Sequence, residues 1–281
     1  MDSKIKIGII GNGFCGQATE MFSCSNNICK FYDIIPDKCS DGISLLSDFK
    51  DYDFIMICVN TPMIKETGQC YTGLVETCIK QIREFIDTNI TTIIVRSTVP
   101  INFCKENNVV FMPEFLTEAN WKNDVLNCSN WFIGVNDLSD NILINKIDKI
   151  FQNRFPDTQR TYIKSEEAES IKYFRNCFLA TKISFCNEFF TLCNALNINY
   201  ETVRKYSTLD NRIGTSHTLV PGPDGYTGFS KSCFPKDTAA LLYQFNILNV
   251  ESTVLKGTID RNNRIDRPEQ DWLLDKGRSA I

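Results

Sequence analysis

The sequence holds a single histidine, His217, and none of its thirteen cysteines stands in a CxxC pair. Zinc sites of the usual kind draw on tight Cys/His pairs, so no metal centre is expected. No apolar run extends beyond Phe54–Val59, far short of the roughly 20 residues a bilayer helix requires. The opening residues, Met1-Asp-Ser-Lys-Ile-Lys-Ile, lack the basic and then apolar regions of a signal peptide, so a cytoplasmic chain with no membrane partner is expected. Basic charge is also short. Thirty Lys and Arg stand against 34 Asp and Glu, a net charge of −4, with no extended basic stripe. That disfavours nucleic acid as a partner. The cysteines lie mostly among apolar neighbours and read as buried reduced thiols, Cys233 excepted.

What is present is ordinary globular chain. At 281 residues, 43% apolar and 23% charged, about two domains are expected. Runs rich in Ile, Val and Phe at Ile5–Gly11, Ile28–Asp33, Phe54–Asn60, Thr91–Ser97, Val109–Glu114 and Trp131–Val135 predict strands covered on both faces, with a further one at Thr161–Lys164. Helix-like stretches between them make this a doubly wound, mostly parallel sheet. From Glu166 to Asn197 there is neither proline nor glycine, and Ser165 is placed to cap one long helix. The spacing predicts an α/β chain: a Rossmann-type doubly wound parallel sheet over residues 1–164, then an all-helical central domain over 165–281. A glycine- and proline-bearing loop, Asp210–Ser232, interrupts the second part. Loops of that length inside a domain are usually functional when ordered.

Five groups of residues offer chemistry. Gly11, Gly13 and Gly16 form GxGxxG straight after a strand, with Phe14 and Cys15 inside it. Such glycines let backbone amides approach a pyrophosphate at a helix N-terminus. Asp33 ends the second strand, where a carboxylate binds ribose hydroxyls and repels a 2′-phosphate, favouring NAD over NADP. Val59, Asn60 and Thr61, and Ser97 and Thr98, each precede a proline at a strand's carboxyl end, where open α/β sheets bind ligands; taken alone, they are accounted for better by simple turn chemistry. Glu114, Phe115, Leu116 and Glu118 end a further strand. Their two carboxylates, four apart, suit either acid–base work or a helix's first turn. Lys172 and Asn176 share one helix face and suit either a cleft or a solvated surface. Cys233 precedes Pro235, which suits N1 of a helix, so amide dipoles and Lys236 favour its thiolate. Asp237 lies in the first turn as partner or cap.

The set as a whole, with Ile171–Glu188 and Ser232–Asp237 in order, resembles the UDP-glucose/GDP-mannose dehydrogenase family over nearly the whole chain, most closely its glucose branch. The resemblance implies oxidation of the C6 alcohol of UDP-glucose to UDP-glucuronate by two NAD. It gives Cys233 the role of capturing the aldehyde as a thiohemiacetal and then a thioester. Lys172 and Asn176 would stabilise the oxyanion; Asp237, Thr98 and Glu118 would handle protons and water; Glu114 would support the site. Lys236 would lie near cofactor phosphates. Arg212 and Phe229 would reach substrate, with Arg212 acting across a homodimer built on the long helix. Ser230-Lys231 stands where members usually carry Gly-Gly, and a minimal enzyme without the usual third, UDP-binding domain is expected. Rival expectations are a dehydrogenase of another nucleotide sugar and a catalytically silent nucleotide-binding dimeric module.

Overall fold

The structure, a computed structural model, describes residues 4–117 and 120–281. It divides into two compact units, Met1–Thr61 with Thr72–Lys172, and Pro62–Tyr71 with Tyr173–Ile281.

In the first unit a seven-stranded sheet runs β2-β1-β3-β4-β5-β6-β7. Its strands are β1 (Ile5–Ile10), β2 (Asn27–Tyr32), β3 (Phe54–Ile57), β4 (Thr92–Val95), β5 (Val110–Phe111), β6 (Asn130–Val135) and β7 (Gln159–Lys164). All neighbours are parallel except β5 and β6, which meet antiparallel at the single pair Phe111↔Gly134. Helices α1 (Phe14–Glu20), α2 (Gly73–Arg83), α3 (Phe103–Glu106), α4 (Trp121–Leu126) and α5 (Asn141–Arg154) connect the strands. In β3 the side chains of Phe54 and Met56 enter one core while Ile55 and Ile57 enter the other. A four-residue strand thus feeds both faces, which is why it reads as a continuous apolar run. In the first core Phe22 meets Trp131, Phe151 and Phe155 at centroid distances of 5.1–5.3 Å. Aromatic pairs of this kind contribute about 0.5–1.5 kcal/mol each beyond their buried area.

Several strands stop short of their predicted ends. Cys58–Asn60, Arg96–Ser97 and Met112–Glu114 leave the ladder, and the Ser97 hydroxyl donates to the Val59 carbonyl at 2.6 Å. These residues form the loops above β3, β4 and β5, the first of them bordering the crevice between β1 and β3 where the strand order reverses. The helical turn expected to carry both Glu114 and Glu118 does not form over residues 112–117, and Glu118 lies outside the described residues.

Helix α6 (Ser165–Ala195) begins in the first unit, and its residues from Tyr173 onward belong to the second. Ser165 does not cap it, contrary to expectation. Strand β7 runs straight into the helix, the Ser165 hydroxyl donates to Asn136 Oδ1 (2.8 Å), and the Glu167 carboxylate accepts the Lys164 N–H (3.0 Å). The second unit continues with α7 (Tyr200–Ser207), α8 (Phe234–Ile247) and α9 (Thr253–Arg261), the last running into a π-helical turn at Asn262–Asp266. Segment 62–71 lies beside the tail, with Met63 N–H donating to Ser279 O (2.9 Å) and Ile281 N–H to Met63 O (3.0 Å). Tyr173, Cys177, Ala180, Ser184 and Asn187 form the buried face of α6. The apolar residues that stand out in the sequence, Phe174, Phe178, Leu192 and Leu196, are exposed instead.

Candidate active site

The glycine turn is built by close backbone approach. A Cβ at Gly16 would lie 2.0 Å from the Gly11 carbonyl oxygen, so α1 can leave β1 at this angle only with hydrogen there. Gly11 holds φ +96°, and a side chain there would meet Cys58 O at 2.9 Å. Gly13, which caps α1, faces open space, and the first turn of the helix carries no acidic residue. The Asp33 carboxylate accepts the Asn12 N–H at 2.8 Å and the Ile35 N–H at 3.0 Å, which anchors it against the turn. An uncrowded helix start, free of acids, beside an anchored carboxylate fits a dinucleotide: amides for the pyrophosphate, Asp33 for ribose hydroxyls.

Within the turn, a hydrogen bond from the Cys58 thiol holds Cys15 below the ordinary thiol range, with the Arg96 guanidinium adding to it. Burial pushes Cys58 well above that range. Arg96 is buried against Trp131 (5.6 Å), a residue sequence reasoning did not single out. Its only signal was a charge inside the strand-like run Thr91–Ser97.

At the neighbouring strand ends Thr61, Ser97 and Thr98 are buried, Val59 is half-buried and Asn60 is exposed. Lys172 and Glu114 are both buried and ion-paired. The ammonium donates to Glu114 Oε1 (2.8 Å) and to the Glu114 carbonyl (2.6 Å), and lies 5.6 Å from the Phe115 ring. Glu114 Oε2 accepts the Leu116 N–H at 2.7 Å, which fixes the carboxylate. A buried charge requires such a partner.

In the second unit Cys233 is the N-cap of α8. Phe234 opens the helix and Pro235 takes its second position rather than the first. Asp237, fully buried, accepts from Asn176 Nδ2 (2.5 Å) and from Lys236 Nζ (2.6 Å). Lys236 is held charged despite burial by the Asp237 carboxylate, with the Cys233 and Cys70 thiols contributing. Thiolate chemistry at Cys233 therefore has a helix N-terminus and a fixed cation beside it. Phe229 is buried and lines a cavity of about 220 Å³ with Pro235 and Trp272. Arg212 is exposed and engages Asp210 at 2.6 Å.

The remaining cysteines form no disulfide and are buried or partly buried, and burial pushes Cys29 up to about 12 and Cys78 up to about 11. Among the described residues no cluster of His, Cys, Asp and Glu could hold a metal, and no helix is long and apolar enough to cross a membrane.

These two constellations define a class when set beside known proteins. The model of the NAD binding domain of the UDP-glucose/GDP-mannose dehydrogenase family matches residues 42–154, and that of its central domain matches residues 166–264. The chain belongs to this family. Among curated relatives, a UDP-glucose 6-dehydrogenase of Rickettsia bellii is 35% identical over 82% of this chain and 52% of its own length. One from Campylobacter jejuni is 31% identical over 75% of this chain and 52% of its own. The chain thus spans about half the length of the curated relatives it matches. A UDP-glucose dehydrogenase structure from Pyrobaculum islandicum superposes with a TM-score of 0.81 at 23% identity, covering 93% of this chain and 68% of that one. A 3-hydroxyisobutyrate dehydrogenase from Mycobacterium tuberculosis gives 0.74 at 14% identity, covering 95% and 96%. At these identities the likeness is one of fold.

Proposed function

We propose that the chain oxidises the C6 alcohol of UDP-glucose in two steps to UDP-glucuronate, with NAD as cofactor and Cys233 as the covalent nucleophile. The observation that carries this is Cys233 at the start of α8, beside Lys236 and an Asp237 fixed by Asn176. NAD, when bound, supplies the two-electron acceptor for each oxidation. The backbone of Gly11, Gly13, Phe14, Cys15 and Gly16, with Asp33, would hold it; Val59–Thr61, Ser97 and Thr98 would line it, and Lys236 and Glu118 would complete that set.

After the first oxidation the Cys233 sulfur adds to the aldehyde carbon and the carbonyl oxygen takes up a proton, giving a thiohemiacetal. After the second, C6 is held as a thioester. Water then adds to that carbon and the C–S bond breaks, releasing the acid and returning the thiol. Lys172 and Asn176 are the donors to the developing oxyanion, a role whose loss typically costs about 3–4 kcal/mol. Asp237, Thr98 and Glu118 move protons and orient water, while Glu114 keeps Lys172 charged and in place. Phe115, Leu116, Arg212 and Phe229 contact substrate. The exposed aromatic stripe of α6 supports a homodimer.

Purified protein given UDP-glucose and NAD is expected to form two NADH per sugar, read at 340 nm, with NADP a poor substitute because of Asp33. Cys233→Ser is expected to abolish release of the acid. No absorbance change alongside normal NAD binding would establish the silent module. Turnover with a different member of a nucleotide-sugar panel would reassign the substrate.

A further inference from the structure

The residues leading to Cys233 are clamped one after another. The Thr227 hydroxyl donates to Asp266 O (2.6 Å), and the Gly228 N–H donates to Asn187 Oδ1 (3.1 Å). The fully buried Asn262 side chain pairs with both backbone groups of Phe229, at 2.8 and 3.0 Å. The Ser230 hydroxyl donates to Asp271 Oδ1 at 2.6 Å, while Asp271 Oδ2 accepts from Arg267 Nη1 at 3.1 Å. Arg267 is 2% exposed. Its other nitrogens reach Thr227 O (3.0 Å) and Asp224 Oδ2 (2.5 Å), and its guanidinium packs 5.2 Å from the Tyr226 ring. So one carboxylate, itself tied to a buried cation, grips the chain three residues before the nucleophile.

Beyond Ser230 the backbone turns sharply. Lys231 holds φ +64°, a left-handed conformation that residues other than glycine adopt rarely and that persists only where the surroundings over-determine it. Ser232 is buried, Cys233 caps α8, and Asp237 one turn on is pinned by Asn176. The turn is therefore fixed at both ends, and it is here that the sequence carries Ser-Lys in place of Gly-Gly.

We propose that Asp271, oriented by Arg267 and acting through the Ser230 hydroxyl, is a positioning residue that holds Cys233 at the start of α8. This rests on the reading of Cys233 as the nucleophile. Misplacing a reacting group by about 1 Å costs on the order of a hundredfold in rate, so loss of one tether is set at about tenfold.

The test uses the full chain with Ser230→Ala and, as the conservative variant, Ser230→Thr. Three quantities are measured: NADH formation from UDP-glucose and NAD, thermal midpoint, and the pH profile of Cys233 alkylation by iodoacetamide, followed on the Cys233 peptide by mass spectrometry. Ser230→Ala is expected to lower kcat about tenfold with KM for NAD unchanged. It is also expected to move the alkylation midpoint up by about half a pH unit as the thiol leaves the helix end. Ser230→Thr is expected to restore both. An unchanged alkylation profile in Ser230→Ala overturns the proposal, as does a fall in kcat that follows the thermal midpoint and is not rescued by Thr. If the unaltered chain makes no NADH, the dehydrogenase reading fails, and the alkylation profile still decides the positioning role.

Discussion

Glu169 is fully buried, and its two carboxylate oxygens accept the backbone N–H groups of Asn102 (2.7 Å) and Cys104 (2.8 Å). Burial outweighs those bonds and raises its pKa to about 7. A carboxyl whose folded value lies above its unfolded value binds more protons when folded. Its contribution to stability is therefore fully present below about pH 4.5 and is lost as pH rises through 7, at most roughly 3 kcal/mol. Urea unfolding between pH 5 and 8 is expected to show this decline, and Glu169→Gln to flatten it; an equally steep decline in the variant would refute the assignment. At this scale the sequence was readable where spacing alone sets the geometry: the glycines of the first turn, Asp33, Lys172 with Asn176, and Cys233. It was unreadable where partners are distant along the chain. Ser230 and Asp271 are 41 residues apart and Arg267 and Asp224 are 43 apart, so although Ser230 stood out beside Lys231, nothing local marked its partners.

Helix α6 shows how pattern and packing can part. Its most apolar stripe is left uncovered, with Phe174, Phe178 and Phe185 at 71%, 60% and 64% exposure. Its buried face is held partly by polar contacts, such as the Ser184 hydroxyl on the Thr258 carbonyl at 3.2 Å. Phe174 and Phe178 stack at 6.2 Å, and Phe185 and Phe189 lie 6.1 Å apart, forming a ridge suited to a second copy. The double variant Phe178→Glu with Phe185→Glu is expected to be monomeric by light scattering while keeping its circular dichroism, because exposed positions change stability by only about ±0.5 kcal/mol. A wild-type monomer, or a variant that stays dimeric, would refute the interface. The existence and order of strands were legible from their Ile/Val/Phe runs. Their carboxyl ends were not, because Ser97 and Glu114 spend their side chains on the loops, and the cap at Ser165 failed because β7 leaves no extended residue between strand and helix.

Over the whole molecule, the seven strands, the long helix and family membership were all present in the amino-acid pattern, because collinear motifs constrain a chain far more than any one of them. The antiparallel contact of β5 with β6 was not among the expectations, and it divides the sheet unequally. Parallel ladders join β2 to β5 in series and a six-pair ladder joins β6 to β7, whereas a lone residue pair, Phe111 and Gly134, links the two sets. Gly134 is wedged there: a methyl group added to it would lie 2.9 Å from both Ala168 and the Ser165 backbone. With so little ladder at this seam, the β6–α5–β7 segment is joined to the rest of the sheet chiefly by side-chain packing, Phe22 against Trp131 and Phe151. Native-state hydrogen exchange should find its amides opening together at lower free energy than those of β1, β3 and β4, and equal protection across the sheet would contradict this. A domain that looks continuous in its hydrogen-bond map would then come apart like a book at its spine.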